Sequence, residues 1–325
     1  MKQFKKYLDQ FKNKKIAVIG DLILDKYIFG DVERISPEAP IPIVNVKKET
    51  FAPGGAANVA ANVSTLSGKA YLLGIVGSDS AREILLDTAH SYLINTSGII
   101  TDESKATIQK IRVIGQHQQL LRIDYEKTDY IDNEKNSLLF KNLKNLTDIS
   151  AIVISDYAKG TISQNLVEQI KQYAKQNNIL LIIDPKPLHK SFYEGAFLIT
   201  PNKKEAQEMS GIFIESKEDF IEAGQKLVRE MNANIVLTAG ERGMFVFEKG
   251  KEYIHISTVA KDVFDVSGAG DTVVASLALA LSTGATLSEA AIIANHAAGI
   301  KVGKTGTSPV YLTELNGFYL KGKLE

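Results

Sequence analysis

The chain of 325 residues contains no cysteine, which excludes disulfides and thiolate metal sites and fits a reducing, cytoplasmic setting. Charge imbalance is absent too. With 38 basic residues against 38 acidic ones, no global field favours nucleic acid or an anionic membrane, though a local basic pocket is still allowed. No uninterrupted apolar run approaches the ~20 residues that cross a bilayer. The N-terminal end is basic (Lys2, Lys5, Lys6, Lys12, Lys14, Lys15), but residues 16–19 are cut by Gly20-Asp21 and are too short for a signal-peptide core. Linkers, repeats and low-complexity tracts are missing. The five histidines (His90, His117, His189, His255, His296) lack metal-ligand spacing, and His296 reads as a packed helix residue. The expectation is one soluble α/β domain over residues 1–325 with a substantial core.

Strand and helix patterns alternate through the second half: 151–155, 161–177, 179–184, 203–210, 216–231 and 235–238. That rhythm predicts a parallel sheet with right-handed crossovers. Residues 4–11 carry Phe4, Tyr7, Leu8 and Phe11 on one helical face. Residues 15–19 form a strand without alternation, as in a sheet covered on both faces. Two segments break the rhythm. Residues 28–46 are β-prone pieces interrupted by Pro37, Pro40 and Pro42, which suits edge strands, and residues 106–125 alternate partly. Together they predict a small β lid.

The chemistry centres on Val263-Phe264-Asp265-Val266-Ser267-Gly268-Ala269-Gly270-Asp271-Thr272. A β-prone run, 263–266, leads into a turn of small residues, and 273–281 then reads as a helix apolar on nearly every side. Gly268, Ala269 and Gly270 leave backbone N–H groups open to an anion at the positive end of that helix. Asp271 would repel a phosphate that was merely held there. It makes sense as a base taking the proton of a hydroxyl that attacks phosphorus. The bland alternative is a tight strand-to-helix connection. No Lys-Ser/Thr follows the glycines, so this is not a P-loop, and Val273 stands where a dinucleotide fingerprint has its third glycine.

Other candidates lie where strands end. Asp21 and Asp25 follow the first strand, either as ligand carboxylates or as turn and solvated residues. Gly54-Gly55 before Ala56-Ala57-Asn58 lets a small ligand lie against backbone, with the Asn58 amide available; close packing is the plain alternative. Asp184-Pro185-Lys186 closes one strand. Asn202 and Glu205 open the helix after another, spaced also as a capping box. Lys186, Arg112 and Arg122 are the basic candidates for a phosphate on a substrate, or are surface cations in solvated pairs.

Two of these stretches, Pro53-Gly54-Gly55-Ala56-Ala57-Asn58-Val59-Ala60 and Asp265-Val266-Ser267-Gly268-Ala269-Gly270-Asp271, resemble the two signatures of the ribokinase-like (PfkB) sugar kinases, in the right order. The resemblance implies a three-layer α/β fold with a central, mostly parallel sheet and a β lid through which members often dimerise. It implies ATP as phosphoryl donor and Asp21 as the residue holding sugar hydroxyls. It also implies Asn202 and Glu205 supporting Mg²⁺ through water, with Lys203 and Lys204 beside them. Thr238-Ala239-Gly240-Glu241-Arg242-Gly243 resembles the family's nucleotide loop, so Thr238, Gly240 and Gly243 are assigned there, although Ala239 departs from the commoner pattern. Some relatives hold a monovalent cation near the position of Asp265.

Residues 30–40 (Gly-Asp-Val-Glu-Arg-Ile-Ser-Pro-Glu-Ala-Pro), His117-Gln118-Gln119-Leu120-Leu121-Arg122 and Gly303-Lys304-Thr305-Gly306-Thr307 look like the heptose-7-phosphate kinases of lipopolysaccharide core synthesis. That narrower resemblance implies phosphorylation of D-glycero-β-D-manno-heptose 7-phosphate at O1, with Gln118 among the substrate contacts. Many such kinases continue into a nucleotidyltransferase. This chain stops at Glu325 as the kinase pattern ends, so phosphorylation without adenylylation is expected. Other sugars, such as ribose or fructose 1-phosphate, and a silent sugar sensor remain open alternatives.

Overall fold

A computed structural model describes residues 2–116, 118–260, 263–304, 306 and 308–321. His117, Thr305 and Thr307 of the motifs above lie outside the described residues. Ile16, Ala17, Val18 and Ile19 are all completely buried, as a run without alternation requires. They belong to β1 (Lys15–Gly20), which is followed by β2 (Leu22–Ile35), β3 (Pro42–Gly55), β4 (Lys69–Val76), β5 (Asn95–Thr101), β6 (Ile108–Gly115) and β7 (Gln118–Tyr125). Then come β8 (Ala151–Ser155), β9 (Leu180–Asp184), β10 (Leu198–Ile199), β11 (Asn234–Thr238), β12 (Met244–Phe247) and β13 (Ile254–Ile256).

Nine of these strands form one sheet in the order β13-β12-β11-β10-β9-β8-β1-β4-β5. From β11 to β5 every pairing is parallel, while β12 and β13 are added antiparallel. Alternate side chains enter two cores. Ile16, Val18, Leu72 and Val153 meet helices Ala56–Thr65, Ala269–Ser282 and Leu287–Val302 on one face. Ala17, Ile19, Ile152 and Ile154 meet Asn133–Lys144, Gln164–Gln176 and Lys217–Met231 on the other. This is the three-layer arrangement expected, and helix Ala269–Ser282 is buried at every residue from Asp271 to Leu281. His296 is packed against Tyr319 inside the fold, and burial pulls its imidazole down to about 4.

The lid is a second sheet, β3-β2-β6-β7. It is longer than residues 28–46 and 106–125 suggested. β2 and β3 form an antiparallel ribbon that begins at Leu22 and runs to Gly55, joining the first core strand directly to the first site helix. Pro37 and Pro40 occupy its tip, and Pro42 and Pro53 lie in β3, an edge strand, where a missing N–H costs little. Residues 263–266, by contrast, are no strand. The Phe264 and Asp265 amides bond to the Val302 carbonyl at the end of a helix, and Val263, Phe264 and Val266 stay exposed. The β-prone composition had no sheet edge to join.

Among the described residues no helix is long and apolar enough to cross a membrane.

Candidate active site

Parallel strands bring their carboxyl ends to one edge of the sheet. Asp21 follows β1, Asp156 and Tyr157 follow β8, Asp184 ends β9, Asn202 lies just past β10 and Thr238 ends β11. The order reverses between β1 and β8, the position at which open sheets bind ligands. Across this edge stands the N-terminus of helix Ala269–Ser282. Between them lies a cavity of about 250 Å³, lined by Tyr157, Asp184, Lys186, Asn202, Glu205, Thr238, Gly268, Gly270 and Asp271 among others. It is small for two whole ligands, and suits the place where their reacting ends meet.

Asp271 is 5% exposed. Burial raises its carboxyl to about 6, against two donors that favour the charged form. Asn58 Nδ2 donates to Oδ2 at 2.6 Å, and the Tyr157 hydroxyl donates to Oδ1 at 3.0 Å. Asn62 in turn donates to the Asn58 side-chain oxygen (3.3 Å) and accepts from Thr272 Oγ1 (2.9 Å), so the two signature motifs are locked together. Such a group is ionised at pH 7 yet a competent proton acceptor. The turn before it needs glycine. Gly268 has φ +77°, and a side chain there would meet Asn58 Nδ2 at 2.7 Å. The Gly268 and Gly270 amides have no acceptor among the described residues. Ala269 differs from its expected role, because its N–H is already bonded to the Val266 carbonyl at 3.1 Å.

The two carboxylates after β1 divide their work differently from expectation. Asp21 is completely buried and accepts from the backbone N–H groups of Tyr157 (2.9 Å), Lys159 (3.0 Å) and Thr161 (3.0 Å). It shapes the 157–161 loop beneath the site and leaves nothing facing a ligand. Asp25, at the base of the lid, is the carboxylate close enough to act on Asp271 and Tyr157 electrostatically. A side chain on Gly54 would strike Asp25 Oδ2 at 2.7 Å, so this glycine makes room for that carboxylate. Arg112 Nη1 pairs with Asp25 Oδ1 at 2.5 Å.

The basic candidates separate. Arg112 is half-buried beside Asp25, whereas Arg122 is half exposed and held by Asp124 (2.8 and 2.9 Å), and Gln118 is exposed on the same edge strand. Lys186 is not with them. It lines the cavity on the other side, 3.8 Å from Glu205. Lys110, which the sequence reading passed over, sits in register with Asp25 and over the Tyr157 ring, with no ion pair among the described residues. Burial lowers its ammonium.

Asn202 and Glu205 form a complete capping box, with Glu205 N–H to Asn202 Oδ1 and Asn202 N–H to Glu205 Oε2 both at 3.0 Å. Lys203 and Lys204 are exposed on the same turn and do not line the cavity, nor do Gly240 and Gly243 in the loop after β11. Asp184 is raised well above the carboxylate range by burial, and further by Asp271 and Glu205. A cation among these three carboxylates would relieve that strain. Among the described residues no three His, Asp or Glu side chains could hold a metal by themselves, so a hard ion would share its shell with water and ligand oxygens. Asp156 is withdrawn from this set. Tyr193 donates to its Oδ2 at 2.7 Å, His189 Nδ1 lies 2.6 Å from the same atom, and Ala158 N–H bonds to Oδ1.

Residues 13–314 match the pfkB family carbohydrate kinase pattern. The chain is 41% identical over 307 residues to the bifunctional protein HldE of Desulfatibacillum aliphaticivorans, covering 94% of this chain and 63% of that protein. It therefore spans less than two thirds of that relative's length. Arabidopsis thaliana ribokinase complexed with ribose and ATP superposes with a TM-score of 0.75 at 18% identity, over 94% of this chain and 97% of that one. Phosphofructokinase-2 from Escherichia coli in complex with potassium gives 0.76 at 18%, over 95% and 98%. The fold is thus ribokinase-like, and fold and site define an ATP-dependent sugar kinase. The chain belongs to the pfkB family of carbohydrate kinases.

Proposed function

We propose that the chain transfers the γ-phosphoryl group of ATP to O1 of D-glycero-β-D-manno-heptose 7-phosphate, giving the 1,7-bisphosphate, a step of ADP-heptose synthesis for lipopolysaccharide core. The carrying observation is a buried carboxylate, Asp271, held by Asn58 and Tyr157 beside the glycine amides at a helix N-terminus. The narrowing to a heptose rests on the lid motifs and on the 41% identity to the bifunctional protein HldE.

In the proposed step the sugar O1 attacks the γ-phosphorus and its proton passes to Asp271. The bond from phosphorus to the bridging oxygen breaks, and ADP leaves. Gly268 and Gly270 amides hold the oxygens of the transferring group. Asp25 and the Gly54-Gly55 backbone position the sugar, while Lys110 and Arg112 face the phosphate it already carries. Asn58 acts on Asp271 rather than on the sugar. The ATP phosphates lie along Lys186, Asn202 and Glu205, with Thr238 and the Gly240–Gly243 loop toward the nucleoside. Asn202, Glu205 and Asp184 are the residues that would hold Mg²⁺, which would supply neutralising charge for those phosphates. The whole chain acts as one kinase domain.

Phosphorus NMR of the product tests the proposal. Heptose 7-phosphate with Mg-ATP should yield a second sugar phosphorus signal coupled to the anomeric proton. A new phosphate on any other carbon, or none, removes this assignment.

The lid also supports a homodimer. Ile35, Val46, Leu120, Leu121 and Tyr125 are exposed on this second sheet, with Ile41 exposed in the turn between β2 and β3. Sedimentation velocity reads this directly, and a monomer at micromolar concentration would dismiss it.

A further inference from the structure

Lys301, in the last turn of helix Leu287–Val302, is completely buried, although a lysine is rarely enclosed without a task. Its Nζ donates to the Gly306 carbonyl at 2.7 Å, and the Gly306 N–H donates to Asp265 Oδ2 at 2.8 Å. Asp265 Oδ1 accepts from Ser267 N–H at 2.8 Å, so a continuous chain of contacts runs from Lys301 into the glycine turn. The lysine stem passes beneath that turn, its Cε 3.6 Å from where a side chain on Gly268 would begin. The next residue, Val302, holds the Phe264 and Asp265 amides with its carbonyl (2.8 and 3.2 Å). Burial depresses the ammonium, while Asp265 and Asp271 favour its charge.

For some relatives the family resemblance implies a monovalent cation near the position of Asp265. A buried ammonium bonded to the Gly306 carbonyl, and linked through Gly306 to Asp265, does the same electrostatic work. It neutralises Asp265, fixes the loop and sets positive charge behind the glycine amides. Resting on the assignment of this turn to phosphoryl transfer, we propose that Lys301 is a tethered cation and positioning residue that makes turnover independent of potassium.

The test compares wild type, Lys301→Ala and Lys301→Met in tetramethylammonium and in potassium or methylammonium buffers at equal ionic strength. Wild-type kcat should change less than about two-fold between buffers, and Lys301→Ala should lose on the order of 10²-fold in kcat with little change in sugar KM. Methylammonium or potassium should restore much of that loss in Lys301→Ala and little in the bulkier Lys301→Met. Thermal denaturation gives a second readout, since the same cations should raise the Tm of Lys301→Ala and leave wild type unmoved. Potassium activation of wild type, full activity of Lys301→Ala in tetramethylammonium, or a loss that no cation rescues would each overturn the proposal. If wild type phosphorylates no sugar, the kinase assignment fails, and the Tm response still decides whether Lys301 fills a cation site.

Discussion

Asp271→Asn keeps its fold and its affinity for ATP but loses about 10²–10⁴-fold in kcat, the usual contribution of a positioned general base. The substitution is mild structurally. The new amide oxygen accepts from Asn58 Nδ2 as the carboxylate did, and its NH₂ faces the Tyr157 hydroxyl, which turns from donor to acceptor. Chemically it is severe, since an amide takes no proton. Stability separates the two. Because the folded-state value of Asp271, about 6, lies above that of an ordinary carboxyl, its contribution to stability is present at low pH and is lost as pH rises through about 6. The variant should therefore match wild type in Tm well below pH 6 and equal or exceed it above. The wild-type kcat/KM should fall on the acid side near that same pH. Tyr157→Phe removes a donor that favours the carboxylate, so it should move the acid limb upward and leave turnover at higher pH largely intact. An Asp271→Asn enzyme with wild-type kcat would remove this residue from the mechanism.

Asp25→Ala is the second severe change, and Asp21→Asn is its control. Asp25 is 5% exposed and its charge is shared between Arg112 and whatever enters the site. Truncating one partner of a buried, hydrogen-bonded charge pair costs about 2–5 kcal/mol, so kcat/KM for the sugar should fall by roughly 30- to 4,000-fold with KM for ATP nearly unchanged. Asp21→Asn should act otherwise. Replacing a carboxylate that accepts three backbone N–H bonds sets an amide N–H against one of them, so the loss should appear as a lower Tm. Steady-state kinetics and thermal melts on both variants decide the matter. A raised sugar KM in Asp21→Asn with unchanged Tm would return the sugar-holding role to Asp21.

That reversal shows which features could be read in advance. Asp271, Gly268 and Asn58 were legible because helix N-termini, glycine turns and buried helices have local sequence signatures. Their contact, Asn58 to Asp271, has no local pattern and is seen only once the two helices pack side by side on one face of the sheet. Asp21 and Asp25 are four residues apart after one strand, and only the path of the 157–161 loop tells which is consumed by backbone. Tyr157 and Lys110 carry no motif; the first gains meaning from its bond to Asp271 and the second from its register with Asp25. Lys301 looks like any last-turn helix lysine until its burial is seen. Composition misled at 263–266, because β-propensity describes a fit to a pleated neighbour that those residues lack. The second sheet starts earlier than residues 28–46 suggested, at Leu22, since the apolar start of β2 reads like a continuation of the core strand before Gly20-Asp21.

ADP release from Mg-ATP with wild-type protein, compared across heptose 7-phosphate, unphosphorylated heptose, ribose and fructose 6-phosphate, tests the central claim most directly. Rapid release with heptose 7-phosphate, and far slower release with unphosphorylated heptose, is the expected result, because Lys110 and Arg112 would then be gripping the 7-phosphate. Preference for ribose or fructose 6-phosphate, or silence with all four, would contradict it.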